Sequence, residues 1–290
     1  MWTEKYRPTT LSQVVGQKEA IAILSACKQL DLIDIPHFLF IGEAGIGKTS
    51  VAKAFANDMG MEFIEFNASK DRELSFIRQD IAKLARQQST TGRKVIFLDE
   101  FDGITALAQF ALRAIMEQYS STTLFILAGN YRHKIIKEIV NRTYEVKFYP
   151  LVPDELRALG EKILQSEGRE LKEGVLDTIS TSSNGCPRQF IDSLAIAVIG
   201  GYVPPASWNV KEWFEKIKTS TLEELFRSLP SISPQEFGRD VMDELLIRKK
   251  EELLEVYLKL GDYILFNSQP DGDALKKVVT VRLWKKREYL

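Results

Sequence analysis

Residues 38–56 read FLFIGEAGIGKTSVAKAFA. The run Phe38–Ile41 is apolar without alternation, the pattern of a parallel strand buried on both faces. Lys48 onward reads as an amphipathic helix, and the junction holds Gly42, Gly45, Gly47, Lys48 and Thr49 in the spacing G-x-x-x-x-G-K-[ST]. Glycines let the backbone close around phosphates, and the N–H groups at a helix start point at an anion. Lys48 can neutralise β- and γ-phosphate charge, and Thr49 offers a hydroxyl to Mg²⁺. The stretch Gly42–Ser50, with Ile46 and Ser50 beside the glycines and the lysine, therefore predicts a nucleoside triphosphate site on an α/β fold.

Working outward, KVIFLDEFD ends a second apolar strand on Asp99 and Glu100. A carboxylate there lies at the edge where open parallel sheets bind ligands. Asp99 can hold the metal, and Glu100 can orient and polarise the attacking water of phosphoryl transfer. Asp102 reads instead as a cap of the following helix. FILAGN places Asn130 at another strand end, where an amide can donate to the γ-phosphate or hold the water; taken alone, it reads as a turn residue.

The strands HFLFIG, EFIEF, KVIFLD and TLFILAGN alternate with helical patterns. Lys48 to Met59 is one helix; Leu74, Ile77, Ile81 and Leu84 form a stripe on another. Leu107, Phe110, Ala111, Ala114 and Ile115 mark the inward face of a third. Such alternation predicts a parallel sheet with helices on both faces. After EVKFYPLVPDE the strands stop. Helices follow on Leu156, Leu159 and Ile163, on Val175 and Ile179, and from Pro187 through Phe190, Ile191 and Leu194. GGYVPPAS, 200–207, reads as a linker. The expected layout is a nucleotide-binding α/β domain (1–150), a small helical domain (151–203) and a second helical domain (204–290).

A net charge of -1 across 290 residues makes no global demand for nucleic acid, so any polyanion site must be a local patch. Cys27 and Cys186 fit neither a zinc site nor a disulfide framework, which suits a reducing cytosol. No apolar run reaches membrane-spanning length, and MWTEKYRP has no signal-peptide core, so a cytoplasmic protein with no membrane partner is expected. His37 and His133 receive no function, and Trp284 in the basic tail VRLWKKREYL is expected to pack inward.

WTEKYRPTTLSQVVGQ, GEAGIGKTS, FLDEFD, ALRAIMEQYSSTTLFILAGNYRHKII and NGCPRQFIDSL fall in an order and spacing that resembles the clamp-loader AAA+ ATPases, in particular the replication factor C small subunit and its phage counterpart. The likeness runs from Trp2 to about Leu194; the last third is similar only in length and helical character. It implies a P-loop AAA+ domain, a helical lid and a helical collar. It further implies Tyr6, Arg7, Val14 and Val15 near the adenine, Asn130 as the first sensor, Arg188 as the lid arginine reaching the same nucleotide, and Arg142 as an arginine finger acting on a neighbour's ATP. The finger's setting departs from the family's pattern, Asn141-Arg142-Thr143 standing for Ser-Arg-Cys, and Glu43-Ala44 stands for Pro-Pro in the loop. Glu43 is expected to point away from the phosphates.

Lys70 and Arg72, then Arg78, Lys83 and Arg86 off the stripe of the next helix, read from pattern alone equally as a solvated face. The resemblance implies contact with DNA phosphates, with Arg113 coupling that contact to Glu100. It also implies ATP and Mg²⁺ as ligands. Implied partners are a sliding clamp, primer-template DNA, a large subunit and copies of this chain in a ring-like pentamer, in an archaeal or virus-infected bacterial cell. A helicase loader or branch-migration motor, and a scaffold that holds nucleotide without turning it over, are the alternatives.

Overall fold

Five parallel strands, β1 (His37–Ile41), β2 (Phe63–Asn67), β3 (Lys94–Asp99), β4 (Thr123–Gly129) and β5 (Thr143–Lys147), form one sheet in the order β2-β3-β4-β1-β5. This is a computed structural model, and it describes residues 1–68, 74–89, 92–202, 210–227, 234–248, 256 and 272–287. β1, β3 and β4 are buried along nearly their whole length, as their unbroken apolar runs require. The order puts β4 between β1 and β3, pairing Ile41 with Gly129 and Leu98 with Leu127. The C-terminal ends of these three strands, which lead into the glycine loop, Asn130 and Asp99–Glu100, are therefore neighbours.

One sheet face packs Phe38 and Phe40 against helices Lys18–Cys27 and Lys48–Asp58. The other packs Leu39, Ile96 and Phe125 against helix Ala106–Gln118 and a helix running through Leu74–Phe76, a π turn at Ile77–Ile81, and Ala82–Arg86. Ile77 and Ile81 are buried as expected; the wider turn brings Ala85, rather than Leu84, into the fully buried position. The side chain of Leu74 lies outside the described residues.

Helix Ala106–Gln118 corrects the expected inward face. Ala108, Gln109, Leu112, Ile115 and Met116 are buried, whereas Leu107 is 62% and Phe110 46% exposed and Ala114 faces solvent. The physical reason is Gln109. Its buried amide donates to the carbonyls of Ile104 and Lys134 and accepts the N–H of Ile136, so a polar residue is satisfied on the core side. With apolar residues on both sides of the helix, periodicity alone could not choose.

His37 does have a structural part. Its buried ring accepts the Phe125 N–H at Nδ1 (3.1 Å), and Nε2 lies 3.4 Å from the Met116 carbonyl oxygen. Burial chiefly, and the charge of Arg93 next, lower its pKa from 6.5 to about 4. Because the folded pKa is below the unfolded one, the unfolded chain binds more protons between these values. The associated stability is present above pH 6.5 and is lost as pH falls toward 4, by at most about 3 kcal/mol. Urea unfolding of the wild type should weaken across this window more steeply than that of His37→Asn, whose amide oxygen can replace Nδ1 as acceptor. Parallel curves would show that His37 does not titrate there.

The chain divides into two compact units, Met1–Ala206 and Ser207–Leu290. In the first, helices Pro153–Glu167, Val175–Ser182 and Pro187–Gly200 build their own core from Leu156, Ile163, Ile179, Phe190 and Leu194, with Trp2, Tyr6 and Val15 packed against it. In the second, helices Val210–Thr219, Leu222–Arg227, Pro234–Arg248 and Gly272–Lys285 surround Trp213, Phe214, Phe237 and Leu283. Trp284 packs there as expected, donating its indole N–H to the Ser220 carbonyl at 3.1 Å. The linker reading falls partly outside the described residues. Among those described, no helix is long and apolar enough to cross a membrane.

Candidate active site

A cavity of 430 Å³ opens at the C-terminal edge of the sheet, within the first unit. Tyr6, Arg7, Val14 and Val15 of the N-terminal segment, Gly45, Ile46, Gly47, Lys48, Thr49 and Ser50 of the loop, Asp99, Glu100, Asn130 and Arg188 all line it. Residues read from separate stretches of sequence thus share one space. Gly42 is not among the lining residues; its N–H is bonded to the Gly129 carbonyl at 3.2 Å, and Glu43 is exposed and does not line the cavity either.

Gly47, at φ +104°, precedes the first residue of helix Lys48–Asp58, whose opening N–H groups have no acceptor within the helix. Gly45 is at φ +79°, and a Cβ there would come within 2.6 Å of the Cys186 sulfur, so a side chain is excluded twice over. Cys186 directly precedes the lid helix Pro187–Gly200 that carries Arg188, so the loop and the lid are in contact here.

Lys48 is buried, and its ammonium donates to the carbonyls of Gly42 (2.6 Å) and Glu43 (2.7 Å) and to Oδ1 of Asn130 (2.9 Å). Burial lowers its pKa; the charges of Asp99 and Asp102 act the other way, and that of Arg188 adds to the lowering. All three hydrogens are used. A phosphate oxygen that takes one must replace one of these partners, and its full charge favours that exchange over a neutral carbonyl.

Thr49 donates its hydroxyl to Oδ2 of Asp99 at 2.9 Å. A hydroxyl and a carboxylate as paired oxygen donors suit Mg²⁺, which binds through one or two carboxylates and substrate phosphates. No cluster of three or more His, Cys, Asp or Glu side chains that could hold a metal occurs among the described residues. Glu100 follows in a left-handed conformation (φ +52°), its N–H on Oδ1 of Asp99 and its carboxylate 3.4 Å from the Asn67 amide nitrogen.

Asp102 does not cap the next helix, which corrects the expectation. Thr105 does so, accepting the Ala108 N–H, while Asp102 accepts the N–H of Tyr131 at 3.2 Å. Gln17 and Asn67 belong to the site without having been marked by their sequence pattern. Gln17 reaches the carbonyls of Ile46 and Tyr149 and accepts the Tyr149 N–H, joining the loop to the chain that leads into the lid. Its position directly after Val14–Gly16 was the available signal. In the same segment Arg7 donates to Ser50 at 3.3 Å, and Lys5 and Tyr6 both donate to Glu167 of the first lid helix.

Arg142 is absent from the cavity lining. It stands before β5, whose first residue pairs with His37 at the start of β1, hence at the opposite edge of the sheet; it forms an ion pair with Glu117. Arg78, Lys83 and Arg86 are exposed on their helix, and Arg113 is half-buried with its Nε unbonded. Lys70 and Arg72 lie outside the described residues.

Residues 38–151 match the family described as "ATPase family associated with various cellular activities (AAA)". The chain is 35% identical over 285 residues to the replication factor C small subunit of Archaeoglobus fulgidus, covering 95% of this chain and 87% of that protein. The chain belongs to the replication factor C small-subunit family. A shorter match to the family member from Methanococcus maripaludis is 40% identical over 203 residues, 68% of this chain and 64% of that one. Among solved structures, the Thermotoga maritima RuvB Holliday junction branch migration motor superposes with a TM-score of 0.60 at 16% identity, over 90% of this chain and 88% of that one, which shows a shared fold. As a replication factor C small-subunit relative with an intact glycine loop, the protein is a nucleotide-binding AAA ATPase.

Proposed function

We propose that this chain is an ATPase subunit of a clamp loader, which uses ATP binding and hydrolysis to place a sliding clamp on primer-template DNA. The observation that carries this reading is the division of its catalytic groups. Lys48, Thr49, Asp99, Glu100, Asn130 and Arg188 converge on one cavity, while Arg142 stands at the far edge of the sheet. An arginine so placed serves a neighbouring subunit's nucleotide, which makes turnover depend on assembly. The names of the relatives, small subunits of a replication factor, support the same setting.

In this reading residues 1–150 bind the nucleotide, 151–203 form the lid and 204–290 the collar of a ring-like pentamer with a large subunit. The adenine lies among Tyr6, Arg7, Val14 and Val15; the loop amides and Lys48 hold the phosphates. Mg²⁺ held by Thr49 and Asp99 would neutralise phosphate charge. Glu100 orients a water and takes its proton as the water oxygen bonds to the γ-phosphorus; the bond from that phosphorus to the β–γ bridging oxygen breaks, and ADP and inorganic phosphate leave. Asn130 and Arg188 stabilise the charge that develops on the γ-phosphoryl oxygens.

The test is turnover of the chain assembled with its large subunit. Ring clamp plus primer-template should stimulate it, and a four-way junction should not; the reverse would assign it to branch migration. Reversing Arg78 and Arg86 to glutamate should weaken primer-template binding. It should also lower the slope of log affinity against log salt by about 0.9 for each phosphate no longer neutralised. An unaltered slope would remove this helix from the DNA surface.

A further inference from the structure

Asn130 stands just beyond the sheet. The β1–β4 pairing ends at Gly129 and the β3–β4 pairing at Leu127, so the ladder no longer fixes the backbone at Asn130. Its side chain nevertheless meets Lys48 at 2.9 Å, inside a cavity where small displacements matter.

The residues on either side of Asn130 are held by one carboxylate. On one side Asp102 packs against Gly129 so tightly that a Cβ there would lie 3.1 Å from its Oδ1 and 3.3 Å from its Cβ and Cγ. On the other, Oδ2 of Asp102 accepts the Tyr131 N–H at 3.2 Å. Asp102 is itself anchored. It sits in the one-turn helix Phe101–Gly103, where Phe101 is fully buried and the N–H of Gly103 returns to the Glu100 carbonyl at 2.9 Å. Gln109 fixes the same loop further on, through Lys134 and Ile136.

We propose that Asp102 is a positioning residue that sets the Asn130 amide against the γ-phosphate and so mounts it on the same turn that carries Asp99 and Glu100. This rests on the role given to Asn130 above. Because Lys48 occupies Oδ1, the amide N–H₂ is the group Asn130 presents to a phosphate oxygen or water, and its direction follows from the backbone that Asp102 grips. The carboxylate acts here as an acceptor, not as a base, so an amide of the same shape can replace it.

The experiment is a double-mutant cycle on the assembled complex, with clamp and primer-template present. Asp102→Ala should lower kcat about tenfold with little change in KM for ATP, and Asp102→Asn, which keeps the acceptor, should restore most of it. In an Asn130→Ala background, Asp102→Ala should cost nothing further. A merely structural role would slow both backgrounds equally, and additive losses, or Asp102→Asn as slow as Asp102→Ala, would overturn the proposal. If Asp102→Ala does not fold, Asp102→Asn in the two backgrounds decides between the same outcomes: near-wild-type turnover in the first supports the proposal, an equal loss in both sinks it. Asn130→Ala turning over at the wild-type rate would remove the role of Asn130 itself and this inference with it, and is read separately from the cycle.

Discussion

Arg142→Ala should leave ATP binding by the isolated chain unchanged and lower turnover of the assembled complex by about 10³-fold or more, the scale of an arginine supplied in trans. The first half follows from distance. Arg142 precedes Thr143, which pairs with His37, whereas the phosphate loop begins after Ile41. Four residues of strand at about 3.3 Å each separate the two edges by about 13 Å, too far for an arginine to serve its own cavity. The second half follows from magnitudes. Arg142 is paired with Glu117, but both side chains are more than a third exposed, and such pairs contribute about 0–1 kcal/mol. A 10³-fold rate effect corresponds to about 4 kcal/mol. Giving up Glu117 to meet a neighbour's γ-phosphate is therefore a small cost against the gain. Arg142→Lys should recover little, because a lysine cannot make the guanidinium's forked contact with phosphate oxygens. Steady-state turnover of reconstituted complexes measures this directly, and a mutant complex as fast as the wild type would end the trans assignment.

How far the sequence reached can be judged residue by residue. The glycine loop, Asp99, Glu100 and Asn130 were legible because each sits where an apolar run stops, and a buried parallel strand delivers its last residues to one edge of the sheet. Arg188 was legible only through resemblance, since nothing local marks an arginine after Pro187 as facing a loop some 140 residues earlier. The strand order was not legible: no periodicity states that β4 inserts between β1 and β3. Four of the polar residues that were missed or misread share one property. Gln17, Gln109 and Asp102 bond to backbone groups remote in sequence, and His37 accepts an N–H from a strand 88 residues away. A polar side chain that satisfies distant backbone looks, in sequence, like any surface residue. Gln109 then misdirects its whole helix, since a glutamine at a core position makes the true inward face read as the weaker one.

Glu100→Gln should retain ATP and fail to cleave it, with turnover reduced about 10²- to 10⁴-fold, the usual contribution of a positioned general base. The binding groups do not involve this side chain. Lys48 rests on Gly42, Glu43 and Asn130, and Thr49 on Asp99, all untouched by the change. The geometry of the residue should also survive. Glu100 holds a left-handed backbone angle that a glutamine adopts at the same cost, and its contact with the Asn67 amide needs only an acceptor oxygen, which a glutamine also offers. What is lost is the negative charge that, on the proposed reading, polarises a water toward the γ-phosphorus. The substitution keeps shape and removes charge, exchanging one acceptor oxygen for an N–H₂ group. Asp99→Asn makes the contrast, because it alters the partner of the Thr49 hydroxyl and, on the proposed reading, a magnesium ligand, so nucleotide affinity should fall along with turnover. Filter binding of labelled ATP and single-turnover hydrolysis, measured on the same assembled complexes, separate the two effects. A Glu100→Gln complex that binds ATP and hydrolyses it at close to the wild-type rate would mean that another group activates the water. The left-handed turn at Glu100 would then need an explanation other than catalysis.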